Sequence, residues 1–344
     1  MRKLIGLIFL LSLILPVNIY ACMVVFYKQE PSIYEISQRS IAIYDRENQK
    51  VGLIPQISFR GRPQDFCAVV PTPTVPKLNT VSKDVFYEVE SLTSPTWIER
   101  GSGCLSSDVI VQDVKPTSSG DSVNVIQEQS VGIFDTVTLS ASDPDALTKW
   151  LKDNGYQYSV QDKEILDYYI QKSWVFTAMK IDASSFSGMS DYYKYNINPV
   201  IFRYSASSLV YPMRLASINT DDRTDLVVYT LSDSKMTFTG GKIEYANRID
   251  DKELKEIDDS YPIIGGLIGQ NRYLTKIKRT FSIMEMDSDI EIVPAPDNKE
   301  FKGIVYYGFS SMMDMLPLGI VVLVLLLFRY FRERRNIIKC SRHD

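Results

Sequence analysis

An α+β fold is predicted, with a large, mostly antiparallel sheet and a few helices, and three observations predict it. Short runs rich in β-branched and aromatic residues recur through most of the 344-residue chain, as at Val51 to Phe59, Val200 to Tyr204 and Leu226 to Leu231. Such side chains suit a pleated, half-buried surface. Turn chemistry separates the runs, at Arg46-Glu47-Asn48, Ser118-Ser119-Gly120-Asp121 and Thr239-Gly240-Gly241. Helical periodicity is confined to a few segments with recognisable caps.

The chain opens with Arg2 and Lys3 before Leu4 to Leu15, an apolar run of 12 residues that Pro16 ends ahead of Ala21-Cys22. A bilayer needs about 20 helical residues, so residues 1–21 read as a signal peptide cleaved after Ala21. Lipid attachment at Cys22 is the alternative, although Tyr20 is bulky where such a site wants a small residue.

Residues 22–293 form the expected extracytoplasmic domain; its length is compatible with two subdomains and a break near 220–260. Strands are expected at Ile33 to Tyr44, Val51 to Phe59, Asp108 to Val114, Val123 to Gln127 and Val131 to Leu139. Further strands are expected at Trp174 to Ile181, Val200 to Tyr204, Leu209 to Ser217, Leu226 to Leu231, Asp233 to Phe238 and Leu274 to Ile283. Three helices are expected. One starts at Ser142-Asp143-Pro144-Asp145, buries Ala146, Leu147, Trp150 and Leu151, and stops at Asn154-Gly155. The second covers Asp162 to Lys172 and the third Lys83 to Leu92.

Pro71-Thr72-Pro73-Thr74-Val75-Pro76 reads as an edge crossing, where missing N–H donors do no harm; a partner-binding proline helix is the alternative. Gly265-Gly266-Leu267-Ile268-Gly269 lacks phosphate-loop spacing and reads as turns. Asp221-Asp222, Asp250-Asp251 and Asp258-Asp259 read as loop acids. Trp97, Trp150 and Trp174 read as packing residues rather than a sugar platform.

Residues 294–308 are the expected juxtamembrane stalk. Residues 309–328 are the expected transmembrane helix: Met315 to Phe328 holds no charge, and Asp314 and Pro317 sit near the outer end. Arg329, Arg332, Arg334, Arg335 and Lys339 follow within the basic tail, 329–344, and such clusters stay cytoplasmic. The expected location is therefore the cell membrane, single-pass, with the bulk outside, the lipid bilayer being one partner. A sorting signal that is later removed is the alternative reading of the same tail.

Composition excludes several functions. Leaving out Arg2, Lys3 and the six basic and two acidic residues from 329 onward, 30 basic residues face 40 acidic ones, a formal charge of −10. That charge argues against nucleic acid. The only histidine is His343, in the tail, so no outer site can use a Ser-His-Asp triad, a Cys-His pair or a histidine-bound metal. Of the outer cysteines, Cys67 and Cys104 are the first disulfide candidates, with Cys22–Cys104 the competitor.

Glu285, Asp287, Asp289 and Glu291 alternate, so on a strand they would share one face. Oxygen ligands suit calcium, which makes Asp287, Asp289 and Glu291 the candidate metal ligands; a solvated edge-strand face is the plainer reading. No other cofactor is expected, and no catalytic constellation stands out. The leading expectation is a non-enzymatic binding or envelope-structural module with a protein or envelope ligand. A histidine-free, carboxylate-based hydrolase and an accessory subunit of a membrane complex are the alternatives.

Several stretches together resemble a prokaryotic family, domain of unknown function 2330. They are Ala21-Cys22; Ser58-Phe59-Arg60-Gly61-Arg62-Pro63-Gln64-Asp65-Phe66 leading into Val70-Pro71-Thr72-Pro73; Phe86; and Thr93-Ser94-Pro95. Ala146 to Tyr156 is the most specific, followed by Tyr168-Tyr169-Ile170, Trp174-Val175-Phe176, Met179-Lys180 and Tyr211-Pro212-Met213-Arg214-Leu215. The resemblance implies export and a shared fold over roughly residues 21 to 220; it implies no activity. The chain departs from the family at Met23-Val24-Val25-Phe26, where members often carry a glycine-rich stretch with a second cysteine.

Overall fold

A computed structural model describes residues 24–26, 34–35, 38–56, 58–60, 67–98, 124–155, 160–182, 194–220, 222–269 and 272–306. The chain forms two units, Met1–Pro95 with Ser107–Gly303, and Thr96–Ser106 with Ile304–Asp344.

In the first unit, Arg223–Ser232 and Tyr273–Ser282 are ten-residue strands whose buried positions are nearly continuous at one end. Strands buried on both faces belong in the middle of a covered sheet. They pair antiparallel along their whole length, from Arg223 opposite Ser282 to Ser232 opposite Tyr273. Around them stands an eight-stranded sheet in the order Phe301–Lys302, Lys242–Arg248, Tyr273–Ser282, Arg223–Ser232, Gln38–Asp45, Lys50–Pro55, Val200–Ser205, Lys77–Thr80. Every neighbouring pair is antiparallel except Gln38–Asp45 with Arg223–Ser232, which is parallel. The range 220–260 thus contributes strands to the same sheet as residues 38–55.

A five-stranded antiparallel sheet follows the order Val24–Phe26, Cys67–Thr72, Val175–Ile181, Phe134–Ser140, Asn124–Val131. The run Val131 to Leu139 is not one strand: Gly132, at φ +61°, turns the chain between two strands. Pro71 lies opposite Phe176, while Val24–Phe26 reaches only to Val69 on the other side. Past Thr72 the proline-rich stretch leaves this sheet and leads to Lys77–Thr80, a strand of the eight-stranded sheet.

Alternation along the strands sorts the core into three layers of side chains. Ala68, Val70, Met179 and Phe134 of the five-stranded sheet pack with Ala42, Leu53, Phe202 and Val228 of the eight-stranded sheet. The opposite face of the five-stranded sheet, through Val69, Phe176 and Leu139, packs on helices Pro144–Asp153 and Val160–Gln171. The opposite face of the eight-stranded sheet, through Ile41, Ile54, Ile201 and Tyr229, packs on helices Val85–Thr93, Asp251–Ser260 and Pro262–Ile268. The unit is therefore four layers deep, with helices outside and two sheets inside. Each fully buried aliphatic or aromatic side chain contributes about 1.5–3 kcal/mol relative to exposure.

The helix starting near Ser142 is capped by Asp143, which accepts from the N–H groups of Asp145 and Ala146, with Pro144 in the first turn. Two helices were not expected from the sequence, although Asp250 and Glu253 have the spacing of a capping box. Asp250 and Asp251 are not loop acids: Asp250 caps Asp251–Ser260 in a reciprocal capping box with Glu253, and Asp258 and Asp259 lie within that helix.

The glycine run is not a set of turns either. Gly265 and Gly266 lie inside helix Pro262–Ile268, and Gly269, at φ +49°, ends it. Buried Glu88 accepts from the N–H groups of Ile263 (3.0 Å) and Ile264 (2.8 Å), satisfying first-turn donors that have no partner within the helix. Burial raises the Glu88 carboxyl above its ordinary value, and these two N–H groups oppose that rise.

Leu209 to Ser217 is likewise divided, into strand Leu209–Tyr211 and the short helix Met213–Ala216 after Pro212. Two three-stranded sheets complete the unit: Lys194–Asn196, Ser58–Arg60, Tyr34–Glu35; and Leu209–Tyr211, Ile290–Pro294, Met236–Thr237. In the second unit, Thr96–Ile98 pairs parallel with Ile304–Tyr306.

Among the described residues, no helix is long and apolar enough to cross a membrane. Residues 1–21, Cys22, Cys104, the run Asp108 to Val114, the segment 309–328 and the basic tail lie outside the described residues.

Candidate functional site

The alternating acids do not share a strand face. Ser282 and Glu285 form a capping box that bends Ile283–Glu285 into a 3-10 turn, and strand Ile290–Pro294 begins only after Asp289. Glu285 is committed to Ser282 and to Arg279 at 2.7 Å, and Asp287 is exposed. Among the described residues, no three of His, Cys, Asp and Glu form a group that could hold a metal ion.

Asp289 turns inward, its side chain only 4 % exposed. One carboxylate oxygen accepts from the Tyr169 hydroxyl at 2.6 Å and the Arg214 N–H at 3.3 Å; the other accepts from Lys172 Nζ at 3.0 Å. The Tyr169 oxygen in turn accepts from the Leu215 N–H at 3.1 Å. Lys172 sits 3.9 Å from the Tyr168 ring centroid, and the Arg214 guanidinium approaches the same ring at 4.4 Å. Burial, then the Asp289 charge, pushes the Tyr169 hydroxyl well above its ordinary value, so it remains a donor. Burial alone would lower Lys172, but its hydrogen bonds to Tyr168 and Asp289 outweigh that and raise it. This network joins helix Val160–Gln171, the Met213–Ala216 turn and the start of strand Ile290–Pro294. Trp174 packs against the same helix layer, as does Trp150.

A second network lies on the helix-covered face of the eight-stranded sheet. Glu90, on helix Val85–Thr93, accepts from Lys276 Nζ at 2.8 Å and from the Tyr229 hydroxyl, and Arg39 stands 3.8 Å away. Burial works to raise the Glu90 carboxyl, yet the bonds from Lys276 and Tyr229 and the charges of Lys276 and Arg39 hold it below its ordinary value. Tyr229 is raised, by burial first and then by Glu90. Both networks answer buried charge with opposite charge and hydrogen bonds, the usual condition for keeping such groups inside a fold.

The same sheet face changes character toward its end. Ile41, Ile54 and Ile201 are buried beneath the helices. One row further on, register places Ile43 opposite Gly52, Gly52 opposite Arg203 and Arg203 opposite Lys77. The next row places Asp45 opposite Lys50 and Lys50 opposite Ser205. These residues, with Val75, line an open groove of about 390 Å³. Gly52 contributes no side chain, which leaves a depression between Ile43 and Arg203. The proline-rich stretch forms one wall. Thr74 Oγ donates to the Ser205 carbonyl and accepts from the Ser205 N–H, both at 3.0 Å, which holds exposed Val75 beside the groove.

Lys50, Lys77 and Arg203 bring three cations to the groove. Lys50 Nζ donates to Ser205 Oγ at 2.7 Å, and Arg203 reaches Asn79 Oδ1 at 3.5 Å. Among the described residues nothing pairs with Lys77. Among the described residues that line the groove, Asp45 is the single carboxylate, and it accepts from the N–H and the side-chain amide of Asn48 at 3.0 and 2.8 Å, which holds its carboxyl below the ordinary range. These residues were not singled out in the sequence, because their spacing there is irregular; only strand pairing makes them neighbours. A volume of this size lies within the range of small-molecule sites, about 300–1,000 Å³.

A crystal structure of a mutated baculovirus P35 after caspase cleavage is similar at a TM-score of 0.30 and 7 % identity, over 77 % of this chain and 98 % of that one. Among curated proteins, no sequence matches. The resemblance read from Ala146 to Tyr156 and its companion stretches is matched by a family model over residues 18–293. The chain belongs to DUF2330, a family of uncharacterised proteins conserved in bacteria.

Proposed function

We propose that this chain is a non-enzymatic binding module, displayed outside the membrane, whose ligand site is the groove between Ile43, Gly52, Val75, Lys77 and Arg203. The observation that carries the reading is the contrast on one sheet face. Where helices cover it, charges are answered; where it opens, a cavity of about 390 Å³ holds cations without ion-pair partners among the described residues. Display rests on the signal segment 1–21, the apolar stretch 309–328 and the basic residues Arg329, Arg332, Arg334, Arg335 and Lys339. One disulfide, from Cys67 or Cys22 to Cys104, fits an oxidising compartment.

The test is a thermal-shift screen of the full chain against neutral sugars, short peptides, carboxylates and phosphates. At least one class is expected to raise Tm. Two variants that fill the groove, Gly52→Leu and Val75→Trp, are expected to abolish that rise. Room at Gly52 is sufficient for a Cβ, with contacts of 3.4–3.6 Å to Ile201 and Ile43, and Val75 is exposed, so one variant serves as a folding control for the other. A shift that survives both substitutions, or no shift with any class, refutes the reading.

A further inference from the structure

On the reading of that groove as a ligand site, its charges identify what it holds. Directly opposed residues on antiparallel strands point to the same face with Cβ atoms about 5 Å apart, and like charges so placed destabilise the sheet. Arg203 and Lys77 are such a pair. Lys50 stands on the next strand, two residues along the same face from Gly52, the residue opposite Arg203. The chain as a whole is acidic, with 42 Asp and Glu against 38 Lys and Arg, so this concentration of cations is local. Asp45 offsets one of the three positive charges but is turned to Asn48, which leaves the groove with a formal excess of two.

We propose that the groove binds a small molecule carrying a dianionic phosphate monoester and an apolar body. Arg203 and Lys77 hold the phosphate between them, where its charge relieves their mutual repulsion. Lys50 lies at the phosphate rim, and Ile43 and Val75 flank the apolar body. A guanidinium fork matches phosphate oxygens in pairs, and a dianion balances the excess charge that a monocarboxylate would halve. The volume of the groove exceeds what a phosphate group alone needs, so it has room for the attached body.

The experiment is calorimetric titration of the full chain, at about pH 7.5, with phenyl phosphate, benzoate and benzyl alcohol. A phosphate monoester is mostly dianionic there, its second ionisation lying near pH 6. Phenyl phosphate is expected to bind, benzoate roughly 10-fold more weakly, and benzyl alcohol not at all. Lys77→Gln and Arg203→Gln are each expected to weaken phenyl phosphate about 10-fold, and added salt to weaken it further.

Lys77→Gln has a second readout. Removing one of two opposed cations is expected to raise the Tm of the unliganded protein, whereas loss of a structural lysine lowers it. Benzyl alcohol binding as tightly as phenyl phosphate overturns the inference, as does undiminished phenyl phosphate binding in both variants. A neutral ligand that is lost in Gly52→Leu and Val75→Trp, while phenyl phosphate gives no heat, removes the phosphate inference and leaves the groove reading standing. If none of these compounds binds and no class in the thermal-shift screen raises Tm, both fall.

Discussion

At the scale of single residues, what separates the two buried networks from the groove is whether a charge is answered. Asp289 was legible in the sequence as a candidate ligand, but its alternation with Asp287 and Glu291 misdirected the reading. Alternation places side chains on one face only where the backbone is a strand, and the Ser282–Glu285 capping box removes the strand there. Its partner Tyr169, 120 residues away, leaves no local trace. Glu90 gives a prediction with a definite sign. Its carboxyl is held below its ordinary value in the fold, so its contribution to stability is present above about pH 4.5 and is lost as pH falls through the folded value. Urea denaturation of the wild type and Glu90→Gln is expected to show a stability gap that is widest near neutral pH and narrows on acidification. A gap of constant size would mean that the lysine and tyrosine contacts do not favour the charged form.

At the scale of elements, the strands and the capped helix at Asp143 were readable because propensity, periodicity and capping agree there. Helix Pro262–Ile268 was not, because two adjacent glycines argue against helix locally and the compensation comes from Glu88, 175 residues away in the chain. The two glycines differ in what they do. A Cβ at Gly265 would collide with the Asp258 side chain and press on its backbone, whereas a Cβ at Gly266 meets nothing within 4 Å. Gly266→Ala is expected to stabilise the fold by about 0.5–1 kcal/mol, since glycine costs that much inside a helix. Gly265→Ala is expected to destabilise it by about 1–3 kcal/mol through overpacking. Denaturation midpoints of the two variants check both signs; equal shifts would show that the helices Asp251–Ser260 and Pro262–Ile268 are not packed through Gly265.

At the scale of the molecule, the fold class was legible and the layering was not. Alternating strands predict a sheet with one face or two, but the pairing of a five-stranded with an eight-stranded sheet depends on contacts between distant residues such as Val70 and Phe202 in one core. Arg223–Ser232 and Tyr273–Ser282 contribute to the cores on both faces of the larger sheet. A chain ending at residue 222 is therefore expected to lack a cooperative unfolding transition, despite holding more than half of the strands. A sharp transition in that fragment would show that residues 38–220 fold independently.

The parallel seam between Gln38–Asp45 and Arg223–Ser232 also sets a clock on biosynthesis. A ribosome makes the early strand first and the late one roughly 180 residues afterwards, an interval of about 10–35 s at 5–20 residues per second. Throughout that wait, the early strand has an unfilled hydrogen-bonding edge and apolar side chains on both sides. The wait ends when Arg223–Ser232 is available, and the far edge of that strand stays open in turn until Tyr273–Ser282 follows about 50 residues later.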